Sequence, residues 1–271
     1  MDRPLVVVDT ETATLQGAPH LLELGAVRVV DGEITEHFER LVRPQVPIDS
    51  EATAIHGISD LDLGSASEVP AVLEEFTAWV GDDWMAAHNA PFDARVLGFE
   101  YVRYDLEPPP GPWLDSLKLA RRLIDDVPDH RLETLTGHLE VEAETHHRAL
   151  ADAVSCWKVI EDCLARMGGL ERVTGAEVLA RNGPPTSIPA RAPGPPRRMP
   201  PRLRALSRAS ESGSPVTLHY SAGGEPPARL AVLPRLLYQA WDKGYLEAEC
   251  LHSGLLKTYR LDRVQRVEAA T

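Results

Sequence analysis

The sequence predicts an α/β fold: a mixed sheet with helices on both faces, followed by a small β-barrel. Three observations lead there. The run Leu5-Val6-Val7-Val8 is continuously apolar, the character of a strand covered on both faces. A hairpin pattern turning at Asp31-Gly32 comes next, and helix and strand signals then alternate as far as Met167. Past a proline-rich stretch the pattern changes to short, closely spaced strands.

Each element has its own reason. Leu5–Asp9 is the central strand, and Leu22–Val30 and Ile34–Val42 form the hairpin. The amphipathic run Val69–Val80 predicts a helix stopped by Gly81, with a short apolar strand at Met85–His88 after it. Pro91–Tyr101 predicts a helix with proline at its first position, where the missing N–H costs nothing. Leu114–Asp115 ends another strand, and Ser116–Leu123, Arg131–Leu139 and Leu150–Met167 complete the helices. Seven of the 20 residues in 181–200 are proline, which predicts a semi-extended linker between domains at 1–180 and 201–271. Beyond it come a short helix, Pro201–Ser210, and strands Val216–Tyr220, Arg229–Leu233, Tyr245–Leu251 and Lys257–Leu261.

Composition narrows the function. A chain of 271 residues with 43% apolar and 25% charged residues reads as an ordinary globular protein of one large or two smaller domains. No apolar run approaches the length of a membrane span, and the opening residues lack a charged-then-apolar signal pattern. The scattered cysteines Cys156, Cys163 and Cys250 offer no disulfide or zinc framework, so a cytoplasmic location is expected. Residues 1–180 carry 14 Lys/Arg against 34 Asp/Glu, a net of −20. Residues 181–200 add +4 and residues 201–271 add +3, which recovers the overall −13. An acidic front half cannot grip a polyanion by charge alone. Metal ions or the rear half must offset it.

The carboxylates suggest the metal. Asp9 and Glu11 are two apart on a strand and therefore share a face, where they repel each other and call for a cation. Asp93, in the first turn of a helix, is by itself an acid favoured by the helix dipole. It becomes a ligand where strand end and helix start converge. His147 and Asp152 are five apart, about 140° around a helix, so they meet only if His147 precedes the helix. A histidine beside fixed acids suits a general base, and His146 is its exposed neighbour. Oxygen ligands without thiolates select hard ions such as Mg²⁺ or Mn²⁺, two of which can flank a phosphodiester.

The ordered set Asp9-x-Glu11, Asp93 and His147-x4-Asp152 resembles the DEDDh exonucleases over roughly residues 4–167. Supporting segments are Glu23-Leu24-Gly25-Ala26-Val27, Ile55-His56-Gly57-Ile58 and His88-Asn89-Ala90. The resemblance implies an RNase H-like fold and 3′→5′ release of nucleoside monophosphates from a single-stranded end. It implies that Asp9, Glu11, Asp93 and Asp152 hold two divalent ions, Mg²⁺ or Mn²⁺, while His147 deprotonates water. Thr10, Thr12, His56, Asn89 and Phe92 flank these motifs as expected substrate contacts; His56 alternatively caps its own loop. The family often has Thr-Gly after the first Glu-Thr pair, whereas Ala13-Thr14 stand here.

The rear half resembles a WYL domain, an Sm-like β-barrel found in bacterial regulators and defence proteins. The matching segments are Val216–Tyr220, Gly244-Tyr245-Leu246 (glycine replacing the tryptophan) and Tyr259–Arg263. That resemblance implies sensing of a ligand or nucleic acid, with His219, Tyr220, Arg260 and Arg263 as contacts and Arg235 and Lys257 as further candidates. Each arginine is equally a solvated strand residue, and Tyr259 a core aromatic. The expected whole is a metal-dependent exonuclease whose rear domain captures single-stranded DNA, in DNA repair, with a polymerase or repair protein as partner. The same residues suit an exoribonuclease for short RNA, a polymerase proofreading subunit or a regulatory ligand-sensing protein.

Overall fold

A computed structural model describes residues 4–141, 147–221, 226–240 and 242–270. The chain divides into two units, Met1–Ala192 and Pro193–Thr271.

The first unit is built on a six-stranded sheet. Its strands are β1 (Leu5–Thr12), β2 (Leu21–Val30), β3 (Glu33–Arg43), the two-residue β4 (Ser67–Glu68), β5 (Trp84–Ala87) and β6 (Trp113–Asp115). They lie in the order β4-β3-β2-β1-β5-β6. β1, β2 and β3 pair antiparallel, while β5 runs parallel to β1 and β6 parallel to β5. The helices are α1 (Ser50–His56), α2 (Val69–Val80), α3 (Ala90–Arg103), α4 (Ser116–Leu123), α5 (Leu132–His138), α6 (Ala149–Arg166), α7 (Gly175–Asn182) and α8 (Ile188–Arg191).

Residue alternation along β1 divides the core. Val6 and Val8 face a layer formed by α2, α3 and α8, with Phe76, Leu97 and Ile188 among its members. Leu5 and Val7 face the opposite layer, formed by α4 to α7, where Trp157, Ile160 and Leu119 are buried. Cys156 and Cys163 belong to that layer as small core residues.

Several expectations are revised. β1 runs on to Thr12, so Asp9 and Glu11 lie within the strand instead of closing it. α3 starts at Ala90, placing Pro91 one position inside. Most of 181–192 is no linker: Ser187 caps α8 by accepting from the Ala190 N–H at 3.2 Å, and Ile188 is fully buried. Thr186 exchanges backbone bonds with Trp113, its N–H donating at 3.2 Å and its carbonyl accepting at 2.8 Å, which covers the sheet edge at β6. Proline content hid this, because one apolar residue in the stretch suffices to dock it.

The second unit carries a helix, α9 (Arg204–Ser212), and five strands: β7 (Val216–Tyr220), β8 (Ala228–Ala240), β9 (Lys243–Cys250), β10 (Leu256–Arg260) and β11 (Val264–Ala269). All pairs are antiparallel, in the order β10-β9-β8-β7-β11. β8 is longer than expected because its register shifts beside Pro234 and the ladder resumes at Leu236. Tyr220 and Tyr259 stand three strands apart in this order, yet their rings meet edge to face at 5.3 Å. A flat sheet would separate them by roughly 14 Å. The sheet therefore curls on itself as a barrel does. Among the described residues no helix is long and apolar enough to cross a membrane.

One close approach fixes the first unit. A Cβ at Gly25 would fall inside the van der Waals envelope of the Ala149 carbonyl carbon and the Leu150 nitrogen, so α6 begins directly on β2. Both obstructing atoms are backbone, and no side-chain rotation relieves them. Gly25→Ala is expected to destabilise the first unit by at least the ~1–3 kcal/mol of an overpacked core, read as a lowered urea midpoint.

Candidate active site

The start of α6 brings the distant acids together. Carboxylate oxygens of Asp9, Glu11 and Asp152 all lie within 4.8 Å of one another. His147 sits just outside the helix in a left-handed conformation, φ +62°, with an exposed side chain. Its backbone N–H donates to Asp152 Oδ2 at 3.1 Å, which ties the loop to the first helical turn. The expected geometry, histidine in the loop and acid on the helix, is met. His146 lies outside the described residues.

Asp93 comes from the first turn of α3, is buried, and accepts a hydrogen bond from Thr10 Oγ1 at 2.8 Å. Thr10 thus orients a carboxylate. Thr12 donates to the Thr14 carbonyl at 3.1 Å and holds the loop after β1. Asn89 adopts a left-handed conformation, φ +67°, and its N–H donates to Asp115 Oδ1 at 3.1 Å. His56 is buried, and its Nδ1 accepts from the Ile58 N–H at 3.0 Å, which is the loop-capping alternative. Phe92 remains 43% exposed, an apolar ring one residue from Asp93.

The electrostatics show a site that repels itself. Burial first, and then the charges of Asp93, Asp152 and Glu11, hold the Asp9 carboxyl well above the ordinary carboxylate range. Burial and the Asp152, Glu23 and Asp93 charges push Glu11 up to about 8. Burial raises Asp93 to about 7 against the opposing Thr10 hydrogen bond. Crowded carboxylates of this kind fit divalent cations, and an all-oxygen donor set fits hard ones. Asp9, Glu11 and Asp152, with Asp93 beside them, would hold the ions.

Sequence reasoning missed two anchoring carboxylates. Glu23 lies directly across the ladder from Glu11 and is fully buried. It accepts from Arg148 Nη2 at 2.6 Å, from Arg148 Nε at 3.0 Å and from the Ala149 N–H at 2.9 Å, fastening the residue after His147 to β2. An acid in the apolar strand Leu21–Val30 was the available signal. Asp115, also buried, accepts from the N–H groups of Asn89 and Leu117 at 3.1 Å each. Its own N–H donates to Asn182 Oδ1 at 2.7 Å, joining α3, α4 and α7 behind the site.

In the second unit, three of the six expected contacts face acids of their own unit. His219 Nε2 lies 3.1 Å from Glu268, Arg235 lies 2.7 Å from Glu249, and Arg260 lies 2.6 Å from Asp262. Tyr220 packs on the buried Tyr259. Lys257 and Arg263 are exposed and make no ion pair among the described residues.

Acids converging from β1, α3 and α6 on one sheet, with a histidine at their rim, define a metal-assisted nuclease site. The chain belongs to the exonuclease family, and the region after the nuclease domain resembles a WYL domain. The family model described as Exonuclease matches residues 6–160, and the WYL domain model matches residues 201–269. The PolC-type DNA polymerase III of Oceanobacillus iheyensis is 38% identical over 161 residues, which covers 58% of this chain and 11% of that protein. The PolC-type enzyme of Bacillus subtilis is 38% identical over 149 residues, 54% of this chain and 10% of that one. The chain therefore spans about a tenth of the length of these relatives. Exonuclease X, solved in complex with 5′ overhanging duplex DNA, is 31% identical with a TM-score of 0.52, covering 66% of this chain and 99% of that one. The nuclease domain of 3′hExo, at 17% identity and a TM-score of 0.54, covers 62% of this chain and 94% of that one and shares the fold.

The raised carboxyls have a thermodynamic consequence. Without divalent ions the native protein holds more protons than the unfolded chain between the ordinary carboxylate range and about pH 8, the value of Glu11. Ion-free stability is therefore expected to fall as pH rises through that window. Thermal melts in chelator from pH 5.5 to 8.5 should show the decline. Added Mn²⁺ should raise the melting temperature more at pH 8 than at pH 5.5, and Asp9→Asn should melt higher than the parent in chelator yet lose the Mn²⁺ response.

Proposed function

We propose that the nuclease unit removes nucleotides one at a time from the 3′ end of single-stranded DNA, releasing nucleoside monophosphates, as part of DNA repair in the cytoplasm. The observation that carries this reading is the triad Asp9, Glu11 and Asp152 with His147 on the loop tied to Asp152. Two divalent ions, Mg²⁺ or Mn²⁺, would supply Lewis-acid stabilisation of the phosphoryl oxygens and acidify the attacking water.

The chain's own residues do the rest. Asp9, Glu11, Asp152 and Asp93 provide the negative charge that retains the cations next to a polyanion. The left-handed backbone at His147 keeps this exposed residue in the loop just before the helix start, where its imidazole takes the proton of the attacking water. Thr10 holds the Asp93 carboxylate in place, and the exposed Phe92 offers a face on which the terminal base stacks. DNA as substrate is supported by the likeness to Exonuclease X, whose solved complex contains DNA. The likeness to PolC-type polymerases supports a polymerase or repair-protein partner.

A 5′-labelled oligonucleotide incubated with the enzyme and Mn²⁺ should shorten in single-nucleotide steps; no shortening at high enzyme concentration would overturn the reading. His147→Ala should slow cleavage by about 10²–10⁴-fold, the usual contribution of a general base. The thermal response to Mn²⁺ should survive that change. Equal lengths of RNA and DNA in competition measure the sugar preference.

A further inference from the structure

Acidic residues are unevenly distributed. The chain has 41 of them, yet the 33 residues 178–210 contain none. At the chain's average content such a stretch would hold about five. Its last part, residues 197–208, carries five arginines and no lysine: Arg197, Arg198, Arg202, Arg204 and Arg208.

The fold keeps all five at the surface. α9 buries Leu206 and Ala209, and Leu203 immediately before it, against the sheet. Arg204 and Arg208, one turn apart, are exposed on the other side. Arg202 Nε donates to the Val264 carbonyl at 3.3 Å, which holds that side chain against the unit with its residue exposed. The preceding extended segment is fastened to β8: the Arg197 N–H donates to Gln239 Oε1 at 3.1 Å, and the Gln239 N–H donates to the Gly194 carbonyl at 2.9 Å. Among the described residues none of the five guanidinium groups has a carboxylate within ion-pair distance. The paired cations of the sheet are the opposite case. His219, Arg229 and Arg266 converge on Glu268, Arg235 on Glu249, and Arg260 and Lys243 on Asp262.

We propose that the arginine segment 197–208, and not the strand residues, is the polyanion-binding surface of the C-terminal unit, and that it holds the phosphate backbone of single-stranded nucleic acid. The exclusive use of arginine favours phosphate, because the planar guanidinium fork matches its oxygens two at a time. Unneutralised cations are those that release counterions when a polyanion binds. The inference rests on the nuclease reading for the identity of the polyanion. A strand held there stays attached to the same chain as the nuclease site, at raised effective concentration.

The test uses the full chain and a labelled oligothymidylate, with affinity measured in chelator over a range of salt. Replacing all five arginines by alanine should reduce the slope of log K against log salt by about 0.7 for each phosphate that is no longer neutralised, roughly 3.5 if all five engage. The variant Arg204→Ala/Arg208→Ala, which touches no core residue, should reduce it by about 1.4 and keeps the test open if the fivefold variant fails to fold. Arg235→Ala/Arg260→Ala, whose guanidinium groups are already neutralised by Glu249 and Asp262, should leave the slope unchanged. An unchanged slope in the arginine variants, an equal reduction in Arg235→Ala/Arg260→Ala, or polyglutamate competing as well as the oligonucleotide would overturn the proposal. Cleavage of a dinucleotide, whose few charges leave little for a second surface to hold, separates the two readings. If the parent cleaves it and the slopes do not move, the arginine surface alone is wrong; if the parent shortens neither the dinucleotide nor the long oligonucleotide with Mn²⁺, the nuclease reading has failed.

Discussion

The site depends on the seating of α6 on β2. Gly25 has no side chain, so the backbone at Ala149 and Leu150 rests directly on the strand. Glu23, two residues earlier on the same face, receives Arg148 and the Ala149 N–H. Glycine sets the distance and glutamate sets the rotation and register. Asp152 then falls one turn into the helix, against the strand that carries Asp9 and Glu11. His147 falls one residue before the anchor, where the chain must turn and adopts a positive φ. A shift of the helix by one residue would rotate Asp152 by about 100° and dissolve the cluster.

That seating also tempers a problem of charge. Glu11 and Glu23 are cross-strand neighbours, an arrangement that is unfavourable between like charges. Arg148 and the Ala149 N–H satisfy Glu23, and the Arg148 charge lowers Glu11 against the acids that raise it. Asp9 is the harsher case, since the main influences on it are burial and four neighbouring acids. The fold therefore neutralises the anchoring carboxylate and leaves the cluster carboxylates in conflict. Charge withheld from structure in this way is available to bind cations, which is the arrangement a metal-assisted nuclease needs.

Legibility in the sequence followed the range of the interactions. Local signals placed α2 between Val69 and Val80 and α4 between Ser116 and Leu123, at the bounds observed. The carboxylate motifs were readable because strand alternation and helix rotation constrain which side chains share a face. Glu23 was not, since its meaning lies in Arg148, 125 residues away. Ile188 was hidden by the prolines around it, although docking one buried side chain into the core reverses what composition suggests. β8 was cut short at Pro234, because a register shift that accommodates proline depends on the partner strand. The strand cations were read as contacts or solvated residues because Glu249, Asp262 and Glu268, which neutralise three of them, sit on neighbouring strands or turns.

The charge split between the two units then has a physical reading. A nuclease domain with a net charge of −20 repels the substrate it cleaves, and ions held at one cleft correct the field only locally. At physiological salt that field decays over about 8 Å, so the repulsion acts only on the part of a strand that comes close to the acidic surface. If the arginine segment holds the strand as proposed, an end tethered to the chain overcomes that repulsion through its raised effective concentration. The same repulsion lets the mononucleotide product leave, because a single phosphate has too few charges to be retained by the arginines once it is cut from the strand. Capture by one unit and release by the other would in this sense both follow from where the chain places its acids.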